Sequence, residues 1–272
     1  MTQYIANNWL NLLEAACTEI PTDQLDIIID QSGGAPLLSS VRSIDPPMRW
    51  KSLFNGQPEA SAMDLAPLLV RIDLAEPLQK RWLLGLLHDR AEQQQLLALA
   101  SLWSFDELAA YLSQCLNARY GGQSALLRYY DPRLFPLLFS HVLEPQQQTQ
   151  LLRPAVFWSW LDRNGVPQCL LGKGEPAESA ASFSAIELSD DQRETLGCAS
   201  DATVLLASPE AALIPGSSAE QRFQACYAAM LDATRVDLLL ENQRRAHVFD
   251  RMTSTNPTLL RAASTQGREP HA

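Results

Sequence analysis

Apolar residues recur along the chain at helical spacing in several segments. The first such segment ends at Pro21 and carries its apolar residues on one face, so it predicts an N-terminal helix. That face consists of Ile5, Trp9, Leu12, Leu13 and Ala16. Further helices are predicted to begin at Pro77, at Ser104 as an N-cap with Glu107 three residues later, at Asp131-Pro132 and continuing to Val142, and at Glu144-Pro145.

Short runs of mainly apolar residues predict strands between these helices. The runs cover residues 25–30, 67–73, 96–101, 124–130, 155–161 and 166–171. Asn164-Gly165 is a favoured hairpin dipeptide, so we expect the last two strands to form a hairpin. The first strands are hydrophobic almost throughout, which is typical of a sheet covered on both faces. The predicted fold class is therefore α/β, with a mixed, mainly parallel sheet covered by helices and a smaller C-terminal helical lobe.

A change in composition predicts where the two parts of the chain meet. Residues 172–184 are rich in Gly, Glu, Pro, Ala and Ser, which is typical of a linker or mobile loop. We expect an α/β domain with the N-terminal helix over residues 1–172 and a helical lobe over residues 185–272. The clearest element of the lobe is a helical segment over residues 223–240.

Composition narrows the classes of partner. The 272-residue chain is 46% hydrophobic and 19% charged, with a formal charge of −10, so we expect no nucleic-acid or anionic-membrane partner. No apolar run reaches about 18 residues, and the N-terminus lacks the basic and apolar regions of a signal peptide, so we expect a cytoplasmic protein. The five cysteines are scattered without a Cys-x-x-Cys pair, which predicts reduced, mostly buried thiols and no metal site.

The most informative charged residues are Arg128, Asp131 and Arg133, at a predicted strand-to-helix junction. One interpretation is structural: Asp131 caps the following helix and pairs with Arg128. The other is functional, since a helix N-terminus beside two guanidinium groups attracts a carboxylate or phosphate of a partner. The residues alone leave both interpretations open.

No complete motif for catalysis or cofactor binding is present. Ser32-Gly33-Gly34 and Gly172-Lys173-Gly174 lack the full phosphate-binding patterns and are interpreted as a turn and a linker. The four histidines have no metal-ligand spacing, and no serine lies in a Gly-x-Ser-x-Gly motif. We therefore expect no catalytic residues, no cofactor and no metal. An enzyme remains the alternative, with a small-molecule site at the strand ends lined by Asp30, Ser32 and Asp131.

Aromatic residues provide further candidates for partner binding, because tryptophan, tyrosine and arginine are enriched at interfaces. Trp50 follows a proline-rich segment and is expected to be exposed or half-buried. Phe223 and Tyr227 belong to the predicted helix of the C-terminal lobe.

Five pieces of the sequence, in order, resemble the domain-of-unknown-function 4123 family. They are the strand at residues 25–30, Ser52-Leu53-Phe54-Asn55-Gly56, Ala66-Pro67-Leu68-Leu69-Val70, residues 126–138 with the core Arg128-Tyr129-Tyr130-Asp131-Pro132-Arg133, and Arg153-Pro154. The fourth piece is the most specific. The resemblance spans residues 24–162. One departure stands out, because Tyr111-Leu112-Ser113 occupies the place of a frequent His-Leu-Arg.

The resemblance implies a non-enzymatic protein of the bacterial cytoplasm. Members of the family are adaptor chaperones that bind a toxic effector and load it onto the valine-glycine repeat spike protein of the type VI secretion system. The partners implied are thus a secreted toxin and the spike, and the C-terminal helices correspond to the family's more variable lobe. Besides the enzyme, an immunity-type protein that neutralises a toxin is a further alternative.

Overall fold

The computed structural model describes residues 2–32, 37–90, 93–177, 184–209, 211 and 218–254. The chain divides into two compact units, Met1–Ser189 and Asp190–Ala272. The predicted turn at Ser32-Gly33-Gly34 lies outside the described residues except for Ser32, as does the part of the predicted linker over residues 178–183. Within the described residues, no helix combines the length and apolar character needed to cross a membrane.

The first unit contains both sheets and six of the described α-helices. In chain order its elements are α1 (Thr2–Thr18), β1 (Gln24–Ile29), α2 (Leu38–Arg42), β2 (Arg49–Ser52), β3 (Leu68–Asp73), α3 (Pro77–Arg90), β4 (Leu96–Ala100), α4 (Phe105–Gln114), β5 (Asn117–Tyr120), β6 (Gln123–Leu126), α5 (Phe135–Leu137), α6 (Pro145–Leu152), β7 (Phe157–Leu161), β8 (Pro167–Leu171) and β9 (Ile186–Leu188). Two 3-10 helices, Pro58–Ser61 and Met63–Leu65, precede β3, and a π-helical turn over Leu138–Val142 continues α5. The second unit contains α7 (Asp190–Leu206), α8 (Ala219–Arg235) and α9 (Glu241–Ser254).

The main sheet is antiparallel, so the predicted mainly parallel sheet is wrong. Its six strands have the order β2-β3-β1-β4-β7-β8, and every neighbouring pair runs antiparallel. A second, three-stranded sheet has the order β6-β5-β9, with only β5 and β9 parallel. The predicted fourth strand over residues 124–130 therefore lies outside the main sheet and ends at Leu126.

The error has a physical cause in how β3, α3 and β4 are connected. Both strands pair antiparallel with β1, so they run parallel to each other and α3 crosses over between them, as the sequence suggests. However, β1 is inserted between them, which makes a split β-α-β unit. Hydrophobicity along a strand reports that both faces are covered and does not report the direction of the neighbouring strand.

Helices cover both faces of the main sheet. On one face, alternate residues of β1 and β3 pack with α1 and α3; this core includes Trp9, Leu13, Ile27, Val70 and Leu83. On the other face, the ring of Trp158 lies 5.1 Å from that of Phe135 and 6.5 Å from that of Tyr129. Because each side buries large side chains, the strands contain few polar residues.

Asp26 and Arg71 form a buried ion pair within this hydrophobic sheet. They face each other across β1 and β3, with Nε–Oδ1 and Nη2–Oδ2 distances of 2.8 and 2.7 Å. The Asp26 side chain is completely buried, and that of Arg71 is 7% exposed. Arg71 also donates to the Gln24 side chain and to the Trp103 carbonyl, both at 3.1 Å. The pair thus meets its hydrogen-bonding needs inside the core.

Several predicted helix boundaries are confirmed. The N-terminal helix is present, and its Trp9 indole donates to Ser159 Oγ at 2.9 Å, although Leu12 is half exposed and not part of the buried face. Ser104 caps α4 by accepting from the Glu107 amide, as expected. Pro77 begins α3, and Glu144 forms a capping box with Gln147 at the start of α6.

The predicted hairpin is also confirmed, but the segment after it differs from the expectation. β7 and β8 pair from Phe157↔Leu171 to Leu161↔Pro167. The amides of Gly172, Lys173, Gly174 and Glu175 then donate to carbonyls of residues 152–156. A Cβ atom on Gly172 would lie 1.9 Å from the Ala155 carbonyl oxygen, so this position requires glycine. The first residues of the predicted linker are therefore attached to the α/β unit.

Candidate functional site

A cluster of charged and polar side chains, which we call the charged corner, connects β1 to the segment before α5. It consists of Asp30, Ser32, Arg128, Tyr130, Asp131 and Arg133. Asp30 and Ser32 follow β1 directly, and the others lie in the turn between β6 and α5. The Asp30 amide donates to the Gln95 carbonyl at 2.8 Å, which extends the pairing of β1 by one residue and fixes this carboxylate at the strand end.

Arg128 pairs with Asp30, a residue 98 positions away in the chain. Its Nη2 atom lies 2.9 Å from Asp30 Oδ2 and 3.3 Å from Ser32 Oγ. The Ser32 amide donates to the other carboxylate oxygen of Asp30 at 2.9 Å. The Asp30 side chain is 3% exposed and that of Arg128 is 40% exposed, so the carboxylate is buried beneath the guanidinium group.

Asp131 pairs with Arg133 and not primarily with Arg128, which corrects the predicted pairing. Arg133 donates to the Asp131 carboxylate from Nε at 2.9 Å, from Nη2 at 2.7 Å and from its amide at 3.0 Å. The nearest Arg128 nitrogen is 3.8 Å from Asp131 Oδ2. The Asp131 carbonyl accepts from the amides of Leu134 and Phe135. Asp131 therefore closes the turn that precedes α5, but the predicted N-cap is wrong, because α5 begins only at Phe135 and its N-cap position is Leu134.

Two neighbouring tyrosines hold the corner in place. Tyr129 is completely buried, and its hydroxyl donates to the Leu112 carbonyl at 2.9 Å. The Tyr130 ring lies 5.6 Å from the Arg128 guanidinium carbon. Burial raises the pKa of Tyr130 to about 12, with Arg128 opposing and Asp30 reinforcing the shift, so this phenol is neutral at physiological pH. Burial opposes the charge of Arg128, but Tyr130, Asp30 and Asp131 outweigh it and raise the pKa of Arg128.

The corner is built to hold fixed charges. Each carboxylate is buried and carries its own guanidinium group, while Arg128 and Arg133 keep about two fifths of their side chains exposed. The exposed edges of the two guanidinium groups are thus available to an acceptor from outside. The structure does bring together Asp30, Ser32 and Asp131, the residues of the alternative small-molecule site, but it engages both carboxylates in ion pairs. Among the residues that the structure describes, no group of three His, Cys, Asp or Glu side chains is arranged to hold a metal.

The residues of the charged corner lie within a segment that matches a family model. Residues 27–150 match the model described as "Domain of unknown function (DUF4123)". The chain carries a DUF4123 domain. No curated protein and no solved structure matches the chain.

The departure from the family pattern has a structural role in this DUF4123 domain. Ser113, which takes the place of the arginine in His-Leu-Arg, donates from Oγ to the Leu53 carbonyl at 2.7 Å. The Gln57 side chain donates to the Ser113 carbonyl at 2.9 Å. Leu53 belongs to the Leu-Phe-x-Gly-like turn, in which Gly56 has a φ of +79°. A small hydroxyl at residue 113 thus attaches the turn to α4.

The remaining candidates lie on β2 of the α/β unit and on α8 of the helical unit. Trp50 lies on the edge strand β2 and is half-buried, as expected, with the Arg42 guanidinium carbon 4.8 Å from its ring centroid. Phe223 and Tyr227 lie on α8, each 1% exposed, and their rings stack at 5.8 Å. They form the core of the helical unit and are not on its surface.

The helical unit carries a groove that the sequence reasoning missed. This lobe groove, of about 720 Å³, lies between α7 and α9 over the C-terminal half of α8. Its apolar lining consists of Val204, Leu205, Met230, Leu238 and Leu239. Of these, Leu239 is 86% exposed. The sequence feature that could have indicated an exposed apolar site is Leu238-Leu239-Leu240, because one helix face cannot bury three consecutive leucines.

α8 stops short of these leucines for a reason visible in the backbone. Asp237 has a φ of +55°, and the amides of Asp237 and Leu238 donate to the carbonyls of Thr234 and Ala233. This is the Schellman pattern that ends a helix. The predicted helix over residues 223–240 therefore ends at Arg235, and the leucines are displayed in the connection to α9.

Arg244 holds the three helices of the unit together below the groove. Its guanidinium donates to Thr234 Oγ1 at 2.9 Å, to the Leu238 carbonyl at 3.3 Å and to Cys198 Sγ at 3.3 Å. It also lies 3.4 Å from the Asp201 carboxylate. Because these partners come from α7, α8 and the loop before α9, one side chain joins three segments that line the groove.

We expect the charged corner to act mainly on stability. Replacing Asp131 with alanine removes the acceptor of three hydrogen bonds from Arg133, so the free energy of unfolding should fall by about 1–2 kcal/mol. Urea denaturation followed by tryptophan fluorescence measures the change. Ser104→Ala, which removes the cap of α4, is the matched control, with a loss of about 1 kcal/mol. An Asp131→Ala protein with unchanged stability and lost partner binding would instead make the corner a binding site.

Proposed function

We propose that this protein is a non-enzymatic adaptor chaperone of the bacterial cytoplasm. It binds a cognate toxic effector of the type VI secretion system and delivers it to the valine-glycine repeat spike protein. The observation that carries the proposal is the DUF4123 match over residues 27–150, which contains Arg128 to Arg133, the most specific piece of the family resemblance. The implied partners are proteins, in keeping with the net charge of −10.

The exposed apolar side chains of the helical unit support a role in protein binding. Val204, Val236, Leu239 and Leu240 are each more than half exposed there. Exposed apolar clusters rimmed by charged residues are typical of protein interaction sites, and the lobe groove has such a rim in Arg193, Glu194, Asp201 and Glu241. These residues lie outside the matched segment 27–150. We therefore assign contact with the toxin, the partner that differs between adaptors, to the lobe groove.

The test is affinity purification of the tagged full-length chain from its own bacterial cytoplasm, with bound proteins identified by mass spectrometry. Recovery of a large toxin together with the spike protein supports the adaptor function. Recovery of a toxin whose activity is blocked in co-expressing cells, without the spike, supports the immunity-type alternative. Recovery of neither protein while the secretion genes are expressed contradicts both functions. The small-molecule enzyme would then be the remaining alternative.

Charge introduced at the mouth of the lobe groove should weaken toxin capture. In the double variant Leu239→Glu, Leu240→Glu, two exposed leucines become charged, and we expect capture to fall at least about tenfold because apolar contacts are replaced by desolvated carboxylates. Quantitative mass spectrometry of purified complexes measures the change.

The control for this variant is Leu65→Glu, which changes a comparably exposed leucine, 56%, in a 3-10 helix of the α/β unit. It should capture toxin normally. If the double variant captures toxin as well as the natural chain does, the lobe groove is not part of the toxin interface. The proposed adaptor function would not be contradicted by that result.

A further inference from the structure

The two edges of the six-stranded sheet are protected differently. The edge strand β2 displays Arg49 and Lys51, both paired with Asp106 at 2.7 and 2.6 Å. Charged side chains on an edge strand oppose pairing with another strand. The opposite edge strand, β8, has the sequence Pro-Gln-Cys-Leu-Leu and no charge, with Leu171 75% exposed. β8 thus lacks the charged side chains that protect β2 from pairing with another strand.

The backbone groups of β8 that point outward follow from the hairpin hydrogen bonds. The Asp162 amide donates to the Val166 carbonyl at 3.0 Å, and the Gly172 amide donates to the Val156 carbonyl at 2.9 Å. Because hydrogen-bonded pairs alternate in an antiparallel ladder, Gln168 and Leu170 also bond toward β7. The amides and carbonyls of Cys169 and Leu171, and the carbonyl of Pro167, therefore point away from β7. In the described part of the chain, no strand lies beyond β8.

We propose that β8 pairs antiparallel with β8 of a second copy of this chain, about a two-fold axis at Cys169. In this register the two Cys169 residues exchange two hydrogen bonds, and each Leu171 amide donates to the Pro167 carbonyl of the other copy. The two six-stranded sheets then join into one continuous sheet of twelve strands. The proposal does not depend on the adaptor function.

A second copy is favoured as the occupant because β8 is self-complementary. A two-fold interface places the same patch on both sides, so a strand with charges of one sign would bring like charges close together. β8 has no charge to repel, whereas self-pairing of β2 would bring Arg49 and Lys51 of both copies together. The uncharged side chains of Cys169 and Leu171 lie on the same face of the strand, where they would contact Cys169 and Pro167 of the second copy. Since the ladder is short, we expect the dimer to be weak and dependent on concentration.

The position of the two-fold axis is tested by cross-linking two copies through the natural cysteines. Cys169 is exposed, and Cys17, Cys115, Cys198 and Cys226 are buried, so a short bismaleimide should join two copies through Cys169. The reaction is run at mildly alkaline pH because partial burial raises the pKa of the Cys169 thiol. We expect a covalent dimer from the full-length chain and none from Cys169→Ser, which should keep the non-covalent dimer seen by light scattering after size-exclusion chromatography.

The strand itself is tested by Leu171→Lys, which places a charge opposite the second copy and should weaken dimerisation at least about tenfold. Leu78→Lys, at a half-exposed leucine of α3, is the matched control and should dimerise as the natural chain does. Unchanged melting temperatures verify that both variants fold. A monomer at all concentrations, a dimer unaffected by Leu171→Lys, or a dimer not joined through Cys169 overturns the proposal. Protection of the Cys169 and Leu171 amides only in a toxin complex would assign this edge to the toxin and overturn it as well.

Discussion

Replacing Asp26 with alanine should lower the free energy of unfolding of the α/β unit by about 3–5 kcal/mol. The Arg71 guanidinium is 7% exposed and donates two hydrogen bonds to the Asp26 carboxylate. In the variant it would keep only Gln24 and the Trp103 carbonyl as partners, next to the Phe105 ring. An uncompensated charge would then remain in the core. Urea denaturation, followed by tryptophan fluorescence and by circular dichroism, measures the loss.

The matched control removes both charges at once. In Asp26→Leu, Arg71→Met no charge stays buried, so we expect a much smaller loss than in the single variant. Burial raises the pKa of Asp26, although Arg71 opposes this shift. A raised pKa in the folded state means that this group stabilises the fold most below the ordinary carboxylate range of about 4, and less as pH rises through the raised value. The pH dependence should therefore be absent from the double variant. Equal losses in the single and double variants would contradict the ion-pair account.

Replacing Phe223 with alanine should destabilise the helical unit by about 3–5 kcal/mol. Phe223 is 1% exposed and stacks on Tyr227, so the substitution leaves a cavity between packed helices. We expect toxin capture to be lost only at temperatures at which the unit unfolds, because the side chain is not on the surface. Thermal unfolding by circular dichroism and capture at two temperatures measure the two effects.

Two milder substitutions at the same place make this result specific. Tyr227→Phe keeps the aromatic ring and removes the 3.4 Å hydrogen bond to the Thr195 carbonyl, so it should change the free energy of unfolding by less than about 1 kcal/mol. Phe223→Leu retains most of the buried volume and should restore capture. A Phe223→Ala protein that is stably folded at the assay temperature and still fails to bind would show that Phe223 contacts the partner.

The candidate residues show how far sequence reasoning extends. The Arg128, Asp131, Arg133 corner was recognisable because its residues are close in the chain, and Asp131 does accept a hydrogen bond from the Arg133 amide in the turn that leads to α5. The partner of Arg128 was not recognisable, because Asp30 lies in another segment and only the fold brings the two together. The same limit applies to Asp26 and Arg71. Each is a charged residue inside an apolar strand run, which signals a buried pair, but their alignment depends on the register of β1 and β3.

For the helices it was harder to predict which apolar residues are buried and which are exposed. Phe223 and Tyr227 lie on an amphipathic stripe, and such a stripe shows which residues share a face without showing what covers that face. The packing of α8 against α7 and α9 buries them. Leu239 and Leu240 continue the apolar run, yet the left-handed backbone at Asp237 ends the helix and exposes them.

By itself, the sequence determined the features that depend on neighbouring residues. These are the positions of α1, α3, α4 and α6, the caps at Ser104 and Glu144, the β7–β8 hairpin, and the resemblance of residues 27–150 to the DUF4123 family. Only the tertiary structure decided that the sheet is antiparallel, that Arg128 pairs with Asp30, and that β8 is an unprotected edge. The physical reason is that helix periodicity, caps and turns are local, whereas strand order and buried ion pairs depend on contacts between distant segments. Hydrophobic burial drives those contacts but does not specify their direction.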